Sequence, residues 1–243
     1  MHNLVELIAH QKDLLGSLLL MLGGLCWMAV YVFSILVGFR EKSYAIPMMA
    51  LVLNFGWEFT YGFLIHNPSA PAYQVTINQI WSLIDVGIIV SYLRYGRKYF
   101  PTDLSDWFYP NFAVALGFSF AFQWTAYHYF HIPPEIPFPS GLVAFIMNLL
   151  MSILFLMMLI KRKSSEGQSM YIAGAKFLGT FVTYLAVIYG TDTEPWSRAG
   201  FCVPFMFIAT TTYDLTYVFL LHRQFRREGK NPWRLLQGKE GFV

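Results

Sequence analysis

Long apolar runs separated by short polar stretches dominate the chain. A bilayer core takes roughly 20 mostly apolar residues per helix. Seven segments meet that length within a few residues: 14–39, 43–66, 73–93, 107–130, 139–160, 170–190 and 200–221. The pattern predicts an all-α polytopic membrane bundle of seven helices, one domain over residues 1–243, with a short tail from 222. The connections are short, and those at 67–71 and 132–139 are proline-rich, which stops helices there. No internal repeat of 20–50 residues is evident. The first run is longer than a signal-peptide core and has no basic region before it, so it reads as a retained membrane helix.

Composition supports this reading. Apolar residues make up 56% and charged residues 13%, about half the usual quarter for a soluble domain. That excludes a disordered chain, a disulfide-rich module and a nucleic-acid binder. Cys26 and Cys202 both lie inside apolar runs and read as small buried hydrophobes. Of the 17 Lys and Arg residues, all but Lys12, Lys176 and Arg198 fall at one set of span ends or in the tail. By the positive-inside rule the tail is cytosolic and the N-terminus lies outside.

The polar residues inside the spans carry the chemistry. Each ionisable group there costs about 2.5–3.5 kcal/mol on insertion scales, so it needs a partner or a role. Four stand out: Glu58, Asp85, Lys176 and Asp214. At about 1.5 Å per residue, Glu58 stands about 22 Å above the cytosolic end of its span, Asp85 and Asp214 about 12 Å, and Lys176 about 9 Å. Glu58 is therefore expected alone in the outer half, with the other three in one layer and Lys176 available to Asp85 or Asp214. Asn54 and Glu58 are four apart, with Trp57 beside them. Asn78, Trp81 and Asp85 share one face, as do Thr210, Asp214 and Tyr217, and as do Asn148 and Ser152. Asn54, Asn78, Asn148 and Thr210 read either as site residues or as helix glue.

No phosphate-binding loop, dinucleotide fingerprint or aspartate-rich magnesium motif is seen in the spans, and the last span has no lysine for a Schiff base. His128 and His131 have no further ligand cluster beside them, so no metal site and no cofactor are expected.

At Asn54-Phe-Gly-Trp57-Glu58, Trp81-Ser-Leu-Ile-Asp85, Asn148 and Tyr213-Asp214-Leu-Thr-Tyr217, and again at Glu228-Gly-Lys-Asn-Pro-Trp233, the chain resembles the small seven-helix terpene cyclases of fungal meroterpenoid and indole-diterpene pathways, the family of the pyripyropene cyclase. The resemblance spans nearly the whole chain. It implies a metal-independent terpene cyclase in which Glu58 and Asp214 are the catalytic acids. Asn54, Trp57, Trp81, Asp85, Asn148, Tyr213 and Tyr217 are then the candidate substrate-binding residues. Bacterial relatives act on prenylated indoles, so the head group stays open between aromatic, polyketide and indole.

Acid-started cyclisation needs a neutral carboxyl to protonate an epoxide or terminal alkene, and an apolar path lined with ring faces that excludes water from the cation. Glu58, with no charge at its expected depth, is the favoured donor. The implied partners are a lipophilic prenylated substrate, membrane lipid, and a pathway prenyltransferase and epoxidase. The implied location is the endoplasmic reticulum of a fungus or the plasma membrane of a bacterium. A proton-coupled transporter is the rival reading, since it too places carboxyls mid-membrane. It would show repeat symmetry and paired broken helices, and neither is evident.

Overall fold

The computed structural model describes residues 2–65, 72–129, 139–190 and 202–234. They form seven α-helices: α1 (His2–Arg40), α2 (Met48–Phe59), α3 (Ala72–Tyr95), α4 (Phe108–Tyr129), α5 (Pro139–Arg162), α6 (Met170–Gly190) and α7 (Cys202–Arg227). A π-turn, Thr60–Leu64, continues α2, and short 3-10 turns cover Gly96–Tyr99 and Thr102–Trp107. No strand occurs among the described residues.

Five stretches are long and apolar enough to cross a membrane: Leu14–Arg40, Tyr73–Tyr99, Gly141–Arg162, Met170–Val187 and Val203–Arg227. The described residues thus form an all-helical bundle with five helices able to cross a membrane. α2 is too short to join that set, and α4 is rich in aromatic and polar residues such as Asn111, Gln123 and His128. The span expected at 43–66 is corrected: its helix begins only at Met48. Pro47 precedes α2 in an extended conformation, and its carbonyl accepts the first helical bond, from Leu51 N at 2.9 Å. A proline suits a helix start because it has no N–H to satisfy.

The helices form one bundle in which α1 packs on α3 and α6, and α5 on α2, α4 and α7. α1 runs parallel to α3, with Gly87 against Ile35 and Gly38 against Ser91. It runs antiparallel to α6, pairing Phe33 with Tyr171 at one level and Gly23 with Gly179 and Thr183 further along. Glycines permit this approach: a Cβ on Gly179 would lie 3.0 Å from Cys26 Cβ and 3.2 Å from Gly23 O. Small residues at membrane helix crossings bring backbones close in this way. α2 crosses α4 where Gly56 meets Ser119, and α5 meets α7 at Phe155 and Tyr217, ring centroids 5.5 Å apart. Residues such as Leu25, Leu83, Val114, Phe118 and Phe219 stay exposed on the outside of the bundle, as a lipid-facing surface requires.

The basic ends meet on one face, as their sequence pattern requires. The Arg162 guanidinium lies 3.9 Å from the Tyr44 ring centroid and 4.2 Å from that of Tyr99, and it donates to the carbonyls of Tyr44 and Glu166. Lys98 pairs with Glu166 at 2.7 Å, and Gly167 N donates to Glu41 at 2.6 Å. After α7, Gly229 takes a left-handed φ of 67°, which folds the tail back. Glu228 can then accept from Ser165 N at 2.8 Å. Three loops and the tail are thus clamped together.

Candidate active site

The first polar cluster lies where α1, α2 and α3 meet. Asn54 and Glu58 are one turn apart on α2 and present their side chains on the same face. Asn54 Nδ2 donates to Glu58 Oε1 at 2.9 Å, to Asp85 Oδ2 at 3.0 Å and to the Tyr31 hydroxyl oxygen at 3.0 Å. The Tyr31 hydroxyl in turn donates to Glu58 Oε1. Tyr31, Glu58 and Asp85 are all at most 2% exposed. No basic side chain among the described residues pairs with either carboxyl. Rings stand beside the acids: Trp81 at 5.8 Å and Trp27 at 6.2 Å from Tyr31, centroid to centroid.

The second cluster lies where α5, α6 and α7 meet. Lys176 Nζ donates to Asp214 Oδ1 and to Ser152 Oγ, both at 2.6 Å. Ser152 Oγ donates to Asn148 O at 2.9 Å, and Asn148 Nδ2 donates to Thr180 Oγ1 at 3.0 Å. Lys176, Asp214 and Ser152 are all buried. The second oxygen of Asp214, Oδ2, finds no hydrogen-bond partner among the described residues. The two clusters are neighbours across the α1–α6 contact. Trp27, one turn before Tyr31, touches the Cβ position of Gly179, which is one turn beyond Lys176.

This geometry corrects one expectation and decides between the two partners open to Lys176. Glu58 is not alone in its layer; it shares a nitrogen donor with Asp85. The count along its span started at residue 43, but α2 starts at Met48. Glu58 then stands 10 residues from that end, as Asp85 does from the end of α3 at Tyr95. Lys176 pairs with Asp214 and not with Asp85, because α6 packs on α7 and presents Lys176 there. The lysine is buried within the bundle, so it does not snorkel.

The remaining candidates divide. Asn54, Trp81 and Asp85 join Glu58, and Asn148 joins Lys176 and Asp214. Trp57 packs instead on Leu53, Ala126, Val143 and Met147, with its ring 5.6 Å from Tyr61. Tyr213 is 37% exposed, whereas Tyr217 is buried and donates to Gln168 Oε1 at 3.0 Å. Asn78 accepts from Gln74 at 2.9 Å, and Thr210 Oγ1 is buried without a partner. His128 stacks near Trp124, and His131 lies outside the described residues. Tyr31 went unmarked in the sequence. Its signal was a tyrosine far from either end of the first span, where a buried hydroxyl must find a partner.

Residues 8–227 match the family model described as Pyr4-like transmembrane terpene cyclases. Among curated proteins, the chain is 27% identical over 221 residues to the Pyr4-family terpene cyclase mfmH of Annulohypoxylon moriforme, covering 87% of each chain. It is 25% identical to the terpene cyclase andB of Emericella variicolor, covering 90% of this chain and 92% of that one. It is 27% identical to the terpene cyclase ascF of Acremonium egyptiacum, covering 82% and 78%. No solved structure matches.

Proposed function

The chain belongs to the Pyr4-like transmembrane terpene cyclases, and from that premise we propose that it closes rings on a lipophilic prenylated substrate by protonation, with Glu58 as the acid. One observation carries the assignment: the two buried carboxyl sites differ in their cations. Asp214 has the Lys176 ammonium at 2.6 Å, whereas no basic side chain among the described residues pairs with Glu58. A buried carboxyl without a cation favours its neutral form, and environments that separate two carboxyls in this way assign acid and base roles.

In this reading the Glu58 O–H bond breaks and its proton passes to an epoxide oxygen or a terminal alkene carbon. The resulting cation is attacked by the next alkene, ring by ring. Trp27, Tyr31 and Trp81 supply ring faces to it. Asp214, with Oδ2 unpartnered, supplies a negative charge that orients the cation or accepts the last proton. The proton lost balances the proton gained, so the product is an isomer of the substrate.

The proposal extends to the membrane. α2 with its π-turn, about 25 Å long at 1.5 Å per residue, and α4, about 33 Å, complete seven crossings. The N-terminus is outside and the tail cytosolic. The substrate enters from lipid, made by a prenyltransferase and, for an epoxide, an epoxidase. A fungal host would place the protein in the endoplasmic reticulum and a bacterial host in the plasma membrane.

The test is incubation of microsomes with epoxyfarnesyl and epoxygeranylgeranyl aryl substrates, followed by mass and ring analysis. Cyclised isomers are expected, with turnover surviving chelator. Glu58→Gln should lower turnover by about 10²–10⁴-fold while substrate still binds, and Asp214→Asn should be severely impaired. Near-normal turnover by folded Glu58→Gln would eliminate Glu58 as the donor.

A further inference from the structure

We infer that Asp85 is a positioning residue of the acid: Glu58 and Asp85 form a carboxyl pair that holds one proton in common, and Asp85 keeps Glu58 loaded with it. The inference rests on Glu58 as donor, but its geometry stands apart. Asn54 Nδ2 donates to one oxygen of each carboxyl, at 2.9 Å to Glu58 and 3.0 Å to Asp85, so one nitrogen holds the two carboxyls side by side. Their other oxygens, Glu58 Oε2 and Asp85 Oδ1, are buried and receive no donor from the described residues. Two ionised carboxylates could offer each other none. A proton on one of them supplies the missing donor and removes one of two like charges from a site that no basic side chain among the described residues reaches.

The groups facing the pair are few. α1 brings Tyr31, and α2 itself brings Asn54. α4 and α5, which pack on α2, bring no charged side chain to either carboxyl among the described residues. Lys176, on α6, is held by Asp214 and Ser152. An ionised Asp85 therefore acts on Glu58 without a counter-charge. It opposes a second negative charge on Glu58. When Glu58 gives its proton to the substrate, the electron pair stays on its carboxylate, where Tyr31 and Asn54 already donate. The substrate cation then faces both carboxylates.

The pH profile separates this role from a packing role. Asp85→Asn keeps the side-chain shape but carries no charge. The alkaline limb of kcat/KM should move to lower pH by about one unit or more, the coupling expected of interacting sites. Asp85→Glu, which keeps a carboxyl, should retain the wild-type limb. Infrared titration of the protonated-carboxyl C=O band on purified protein reads the pair without turnover, and this band should shift its titration in step with the limb. If Asp85→Asn does not fold, Asp85→Ser carries the same test. A limb and band that stay at the wild-type pH while only the rate falls would overturn the pair. If Glu58→Gln turns over normally but the band in Asp85→Asn titrates at lower pH than in wild type, the pair survives and only the donor assignment fails.

Discussion

Replacing Lys176 by methionine removes the one cation bonded to Asp214 while nearly preserving the volume that the lysine stem fills. At the 2.6 Å separation of Nζ and Oδ1, the gross attraction is about 6 kcal/mol at an effective dielectric of about 20. Much of that offsets the desolvation of the two groups, so the pair adds less than this to stability. Breaking it is different, because a charge remains buried and unpaired. That costs about 3–5 kcal/mol, which converts to a fall in Tm of about 6–20 °C for a chain of this size. The alternative open to the protein is to protonate Asp214. Stability is then partly recovered, but the negative charge facing the substrate is lost. Either way, Lys176→Met should be severely impaired. Adding Asp214→Asn to Lys176→Met should recover thermal stability in detergent without recovering cyclisation, since neither charge then remains to be balanced. Thermal melts and microsomal turnover of the two single variants and the double variant form the assay. Wild-type Tm and turnover in Lys176→Met would refute the reasoning, because a buried partner of an ionised carboxylate cannot be removed without effect.

Reporter tags should place the N-terminus outside and the tail in the cytosol; a tail tag on the outer side would reverse the orientation. Gly56→Ala should lower stability by about 1–3 kcal/mol, since the new Cβ would lie 2.1 Å from Ser119 Oγ, and Ser119→Gly should restore the melting temperature. Burial opposes the ionisation of Glu228, but hydrogen bonds from Lys230, Ser165 and Gln224 outweigh it and hold the carboxyl at about 2 against an ordinary 4.5. A depressed acid stabilises fully above its ordinary value and loses that contribution as pH falls toward the lowered one. Protection of residues 228–234 against hydrogen exchange should therefore weaken between about pH 4.5 and 2, and Glu228→Gln should lack that pH dependence.

Helix existence was legible because an apolar stretch of about 20 residues has few alternatives. α6 matches its expected bounds, 170–190, where polar Ser169 and the proline-free run up to Gly190 mark both ends. The start of α2 is hidden in the sequence because residues 43–47 are nearly as apolar as the helix after them, and only Pro47 marks it. Those five residues set the apparent depth of Glu58 and separate it from Asp85, with which it shares Asn54. Pairings between helices were a second blind spot. Spacing along α2 shows that Asn54 and Glu58 share a face, but only packing shows that α3 brings Asp85 to that face. Tyr31 was concealed by abundance: among 15 tyrosines, one more in an apolar run carries little signal.

The π-turn at Thr60–Leu64 begins two residues after Glu58. A π-turn is an α-helix with one residue too many in a turn. Losing one residue there would restore plain α-helix and move only the outer end, leaving Asn54 and Glu58 in place. Evolution thus has a site beside the acid where length can change at little cost to the carboxyl. Alignments of relatives should accordingly be anchored on the Asn54–Glu58 side, with a one-residue gap accepted beyond Phe59. A relative whose glutamate looks displaced by one position when matched from the outer loop would then carry the same acid at the same depth.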